Sequence, residues 1–113
     1  MHDQVYPVRP PDLSRHRHEL APDVDKAFGD FSRAAYAEGA LSRKTKQLIA
    51  VAVAHSTQCP YCIRSHTIGA LREGATEREI VEAIWVAAEM RAGAAFAHAA
   101  IATEALADVT RVG

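Results

Sequence analysis

The sequence predicts an all-α fold of about five helices. Three observations carry that expectation. Apolar residues recur at three-and-four spacing through most of residues 22–107. Aromatic residues are only 6% of a chain that is 49% hydrophobic, so much of its apolar content is alanine, which suits close-packed helices. No stretch alternates apolar and polar residues as a half-buried strand does. At 113 residues the chain has the size of one domain and can bury roughly two-thirds of its unfolded surface. We expect an irregular N-terminal arm over residues 1–20 and a helical domain over residues 21–113.

The arm carries Pro7, Pro10 and Pro11 and a cluster, Arg15-His16-Arg17-His18, whose histidines are expected in solvent. The first helix starts at Pro22, a residue suited to the first turn, and shows Val24, Ala27, Phe28, Phe31 and Ala35 on one stripe; Gly39 is its expected stop. Ser42 caps a second helix over about residues 43–56. Residues 48–54 of that helix are apolar on every face. A helix of that kind is expected to be buried all round, more than one small domain provides, so the pattern points to a homo-oligomer. The third helix begins at Cys59-Pro60, with Pro60 in its first turn, and ends at Gly74. Thr76 and Glu79 read as a capping box for the fourth, which carries Ile80, Ile84, Ala87 and Ala88 on one face and Val81, Trp85 and Met90 beside it. Gly93 is the expected junction to a fifth, alanine-rich segment over residues 94–107 with Phe96, Ile101 and Leu106. Trp85, Met90 and Phe96 are read as core or subunit-interface side chains, and His98 as a packed or interface residue.

A formal net charge of -1 and a pI near 6.6 leave no basic footprint for nucleic acid or an anionic membrane. Residues 1–11 have no apolar core of the kind a secretory signal needs, and residues 48–54 are too short a run to span a bilayer. The expected compartment is the cytoplasm, where a Cys-x-x-Cys is more often catalytic or metal-binding than a structural staple.

That motif is the chain's chemical signature. Cys59-Pro60-Tyr61-Cys62, followed by His66, places both cysteines of the chain and one imidazole within two turns of one helix. Cys59 falls at the N-cap and Cys62 in the first turn, where unpaired N–H groups and the helix dipole favour a thiolate. His66, one turn past Cys62, is placed to act as base or proton relay. The expected chemistry is attack of one thiolate on a peroxide oxygen, condensation of the resulting sulfenic acid with the second thiol to a disulfide, and reduction by an external dithiol. No metal or organic cofactor is needed for it. The rival reading is structural zinc, because His55, Cys59, Cys62 and His66 supply four acceptable ligands. A redox sensor or disulfide reductase without peroxide turnover is a third. Glu89 lies between apolar neighbours; an inward carboxylate would need a partner such as Arg91 or Arg64, or would serve the thiol site.

Residues 41–54 (LSRKTKQLIAVAVA), 59–66 (CPYCIRSH) and 74–80 (GATEREI) together resemble the core of AhpD-type alkylhydroperoxidases, of the carboxymuconolactone decarboxylase superfamily, over about residues 25–105. The resemblance implies an all-α domain assembled as trimers or hexamers, a hydroperoxide substrate, and a lipoyl-bearing or thioredoxin-like reductant. It implies that Cys62 attacks the peroxide, that Cys59 resolves, and that His66 belongs to a proton relay. That relay usually includes a glutamate twelve residues before the first cysteine, and here the position holds Gln47. An amide can orient a histidine but cannot take its proton. The relay is therefore expected to end at His66 or to draw on another group, Glu89, His55 or Glu38. The decarboxylases of the superfamily work without a cysteine pair, so decarboxylation is not the expected reaction.

Overall fold

Among residues 5–112, which the computed structural model describes, the backbone forms six α-helices and no strand. They are α1 (Leu13–Leu20), α2 (Pro22–Tyr36), α3 (Arg43–Thr57), α4 (Pro60–Arg72), α5 (Glu77–Ala97) and α6 (Ala99–Val112). The chain divides into two compact units, with the boundary between Lys46 and Gln47.

In the first unit the arm departs from its expected irregularity. Residues 1–4 of it lie outside the described residues, but Leu13–Leu20 is helical. The turn starts where Leu13 N–H reaches Pro10 O at 3.2 Å and His16 N–H reaches Asp12 O at 2.9 Å. An Arg15–Glu19 pair at 3.8 Å, one turn apart, adds modest support. His16 and His18 are exposed as expected, and His18 Nδ1 also meets Asp25 Oδ2 at 2.9 Å, tying α1 to α2. In α2, Pro22 is at the first position and Asp23 and Asp25 face the positive end of the helix dipole. Hydrogen bonds from Lys26 and then Arg33 hold the Asp30 carboxyl below the usual carboxylate range. Ser42 Oγ accepts the Thr45 N–H at 3.1 Å, the cap expected for α3.

In the second unit a small core of Val51, Ala70, Ala75 and Ile80 joins α3, α4 and α5, with Leu48 and Ile84 packed against it. The helix α4 ends in a Schellman turn. Gly74 adopts φ +89°, Gly74 N–H reaches Leu71 O at 3.0 Å, and Ala75 N–H reaches Ala70 O at 2.9 Å. That turn places Ala75 against Ala70 in the core. Thr76 and Glu79 then form the expected capping box of α5, with reciprocal bonds of 2.9 and 3.1 Å.

One expectation is corrected here. The helix α5 does not break at Gly93 but continues to Ala97. A glycine ends a helix when its backbone turns left-handed, as Gly74 does; Gly93 stays within the helix. The junction falls at His98, where Ile101 N–H bonds His98 O at 3.0 Å and the His98 ring bonds Ala94 O at 2.6 Å. In the single chain Ile49 and Val53 of α3 are 47% and 53% exposed, so this one domain does not cover every apolar face of the helix. Trp85, Met90 and Phe96 are likewise exposed in the single chain, so they are not part of its core. No helix among the described residues is long and apolar enough to cross a membrane.

Candidate active site

The junction between α3 and α4 builds the site. α3 closes with Gln58 at φ +58°, and the Cys59 N–H returns to Ala54 O at 3.1 Å. This is the six-to-one bond of a Schellman turn, with glutamine where glycine is commonest. The next helix starts at once. Cys59 is its N-cap, Pro60 its first residue, and Cys59 Sγ accepts the Cys62 N–H at 3.3 Å. A sulfur here fills the role a serine or aspartate oxygen usually has, satisfying one of the orphan donors of the helix end. Cys59 and Cys62 are joined as a disulfide with their Cα atoms 5.3 Å apart, within the normal span for such a bridge. Both are partly buried.

His66 follows Cys62 by one turn of α4 and is also partly buried. Its Nδ1 lies 2.9 Å from Oε1 of Gln47, on α3. A carbonyl oxygen only accepts, so Nδ1 carries the hydrogen and the basic lone pair of the neutral ring sits on Nε2. Burial holds the imidazole below its usual pKa, favouring that neutral ring. The structure thus joins four of the residues singled out from the sequence in two pairs, Cys59 with Cys62 and His66 with Gln47, the second pair one turn along α4 from the first.

Two other candidates are placed elsewhere. His55 Nδ1 bonds Val51 O at 2.8 Å, one turn back on its own helix. Glu89 is not inward-facing but exposed, and its Oε1 would lie 3.4 Å from a Cβ built on Gly93 of the same helix. Arg91, considered as its partner, donates instead to the Ser56 carbonyl at the end of α3. The zinc reading needs His55, Cys59, Cys62 and His66 to converge. Among the described residues no three histidine, cysteine, aspartate or glutamate side chains form such a group, and a sulfur already in a disulfide is not a thiolate ligand. Glu38, a further substitute acid, faces the Arg43 N–H at 3.4 Å within the first unit. A shallow groove lined by Glu77, Arg78, Val81, Glu82 and Trp85 contains none of the sulfur or imidazole groups.

Three contributors were missed or only partly read in the sequence. Gln58 turns the chain from one helix into the next, and no residue preference announces a left-handed glutamine. Arg91 was noticed for the wrong partner. Gly69 lies beneath the Gln47 amide: a Cβ built there would fall 2.6 Å from Oε1 and 2.9 Å from Cδ. Its only signal in the sequence is a glycine in a helix interior, three residues past His66.

Comparison with known proteins agrees with this architecture. The profile of the carboxymuconolactone decarboxylase family matches residues 22–105. The chain is 67% identical over 76 residues to uncharacterized protein 4 in the cox locus of Paracoccus denitrificans, covering 67% of this chain and 68% of that one. It is 37% identical over 75 residues to an uncharacterized protein of Cupriavidus necator, covering 66% of each. Among solved structures, a protein of Methanobacterium thermoautotrophicum superposes with a TM-score of 0.69 at 41% identity, covering 74% of this chain and 93% of that one. A carboxymuconolactone decarboxylase family protein of Legionella pneumophila, solved in its apo form, gives 0.65 at 38% identity, covering 70% of each chain.

Proposed function

The chain belongs to the carboxymuconolactone decarboxylase family, with an AhpD-like core, and from that premise we propose that it is a thiol-dependent peroxidase. The observation that carries the reading is the Cys59–Cys62 disulfide at the start of α4 with a neutral, hydrogen-bonded His66 one turn on. In the dithiol form, His66 Nε2 takes the Cys62 proton and the thiolate attacks a hydroperoxide. An S–O bond forms, the O–O bond breaks, and the leaving alkoxide takes the proton back to depart as an alcohol. The Cys59 thiolate then attacks the Cys62 sulfenic acid. An S–S bond forms, the S–O bond breaks, and the leaving hydroxide takes up the proton that the Cys59 thiol gave up, departing as water. A dithiol protein, lipoyl-bearing or thioredoxin-like, supplies two electrons and two protons to reopen the bridge.

The assembly we propose is a homo-oligomer, a trimer or a hexamer. Support comes from the apolar surface of the single chain: Ile49 and Val53 on α3, Trp85 and Met90 on α5, and Ile101, Leu106 and Val109 on α6 are all exposed. Such an extent of apolar surface is unusual for a monomer.

A second reading, a disulfide reductase or redox sensor without peroxide turnover, is favoured by one observation. The His66 partner is an amide, which cannot pass a proton onward. Thiol titration of the reduced protein before and after one equivalent of an alkyl hydroperoxide, followed by steady-state assay with a regenerating dithiol, tests both. Loss of two thiols with turnover supports the peroxidase. Loss of two thiols without turnover supports the sensor or reductase. Unreactive thiols with bound zinc on metal analysis would remove both.

A further inference from the structure

We infer that Gly69 is a positioning residue of the thiol site: its missing side chain is the space in which the Gln47 amide lies to hold His66 by Nδ1. The inference rests on the reading of His66 as the group that handles the site's protons, but its structural content stands apart from turnover.

Glycine is a poor residue for a helix interior, because it gains no side-chain contact and loses the most backbone freedom. Position 69 is well inside α4. Nor does the backbone ask for it, since the positive-φ glycine among the described residues is Gly74. The two differ in what surrounds them. A Cβ at Gly74 would meet nothing within 4 Å, whereas one at Gly69 would meet Oε1, Cδ and Nε2 of Gln47 at 2.6, 2.9 and 3.3 Å. All three atoms at the end of the amide are therefore seated on the bare backbone of position 69. Gly74 is a conformational glycine and Gly69 is a steric one.

The consequence falls on His66. Residues three apart share a helix face, so Gly69 and His66 present one surface to Gln47. The amide rests on the first and accepts the Nδ1–H of the second at 2.9 Å. Any side chain at position 69 pushes the amide off that surface. Because the displaced atoms are the far end of a flexible side chain, the helices need not move. The Nδ1–H then loses its acceptor, and the choice of protonated nitrogen relaxes toward that of a free imidazole.

The test is long-range proton–nitrogen correlation of the full-length, nitrogen-15-labelled reduced protein, at a pH where His66 is neutral. The wild type is expected to show the Nδ1-protonated pattern at His66. Gly69→Ala and Gln47→Ala should each lose it, and Gly69→Ala placed in the Gln47→Ala background should change nothing further. Thermal unfolding by circular dichroism should show Gly69→Ala folded. Retention of the wild-type pattern in folded Gly69→Ala, additive effects of the two substitutions, or failure of Gly69→Ala to fold would each overturn the inference. The expected pattern in all variants with no peroxide turnover even in the wild type would support it while removing the peroxidase reading.

Discussion

The sulfur of Cys59 accepts the backbone N–H of Cys62 at 3.3 Å, so one half of the disulfide caps the helix that carries the other half. The arrangement is unequal. A thiolate on Cys59 keeps that N–H and the positive end of the α4 dipole. Cys59 is accordingly the better leaving group when a dithiol opens the bridge, which directs the reductant to the Cys62 sulfur. In the cycle proposed above, Cys62 meets the peroxide and Cys59 resolves.

The cysteine roles are separable by substitution. Cys62→Ser should abolish disulfide formation and peroxide consumption. Cys59→Ser should retain a single oxidation, leaving a sulfenic acid on Cys62 that a dimedone adduct reveals by mass spectrometry. The opposite pattern, or full turnover by Cys62→Ser, would reverse the assignment. The cap adds a second readout: in reducing buffer Cys59→Ser keeps an acceptor at the helix end, whereas Cys59→Ala should be less stable by about 1 kcal/mol.

Acidification should weaken the fold through His66. Its pKa in the folded chain is lowered by burial, while the unfolded value is about 6.5. Between those two values the unfolded chain binds more protons at this position, so stability rises with pH across the window. The stabilisation from the neutral ring is complete above about pH 6.5 and is lost as pH falls through that value toward the lower folded one. Urea unfolding at about pH 7.5 and about pH 5 should show a larger loss in the wild type than in His66→Gln. Equal losses would mean that the ring is not desolvated in the folded state.

Helix starts were legible in the sequence and helix neighbours were not. Pro22, Ser42, Cys59-Pro60 and the Thr76–Glu79 pair mark the starts of α2 to α5 because capping is local chemistry, written within four residues. The α5–α6 junction was misplaced because Gly93 and Gly74 look alike until their backbone angles are known. Cys59, Cys62 and His66 could be grouped by helical spacing alone. The contact of Gln47 with His66 spans nineteen residues and two helices, so only family resemblance pointed to it. Glu89 was misjudged because an apolar sequence neighbourhood does not make an inward-facing side chain when the outer face of α5 is itself apolar, as exposed Trp85 and Val86 show. Nothing local could have revealed that Gly69 matters, because its neighbour there is the end of a side chain from another helix.

The two left-handed residues that close α3 and α4 should respond in opposite directions. Gln58 holds φ +58° at a position where a side chain costs about 1 kcal/mol or more. Gln58→Gly should raise stability by a few tenths to about 1 kcal/mol, the extra freedom of the unfolded chain offsetting part of the gain. Gly74 holds φ +89° in open space, so Gly74→Ala meets no steric clash and should lose about 1 kcal/mol from backbone conformation alone. Chemical denaturation of the reduced proteins measures both. A destabilised Gln58→Gly would show that the glutamine side chain holds the junction by contacts of its own.

Gln47→Glu tests what the amide does by exchanging it for a group of the same shape. The space at Gly69 accommodates either side chain, so the His66 contact is expected to persist. The carboxylate would face Nδ1–H and stabilise the imidazolium, opposing the effect of burial and raising the His66 pKa. A more basic Nε2 would take the Cys62 proton more readily, and the resulting thiolate–imidazolium pair would react faster with peroxide. Two measurements follow: the His66 titration by NMR should move to higher pH, and stopped-flow oxidation by an alkyl hydroperoxide at neutral pH should accelerate by roughly tenfold, less than the roughly hundredfold or more of a whole general base because His66 is already in place. A raised pKa without acceleration would show that proton removal does not limit oxidation of this site, leaving O–O cleavage or closure of the disulfide as the slow step. Neither change would mean that the Gln47–His66 contact is lost in the dithiol form.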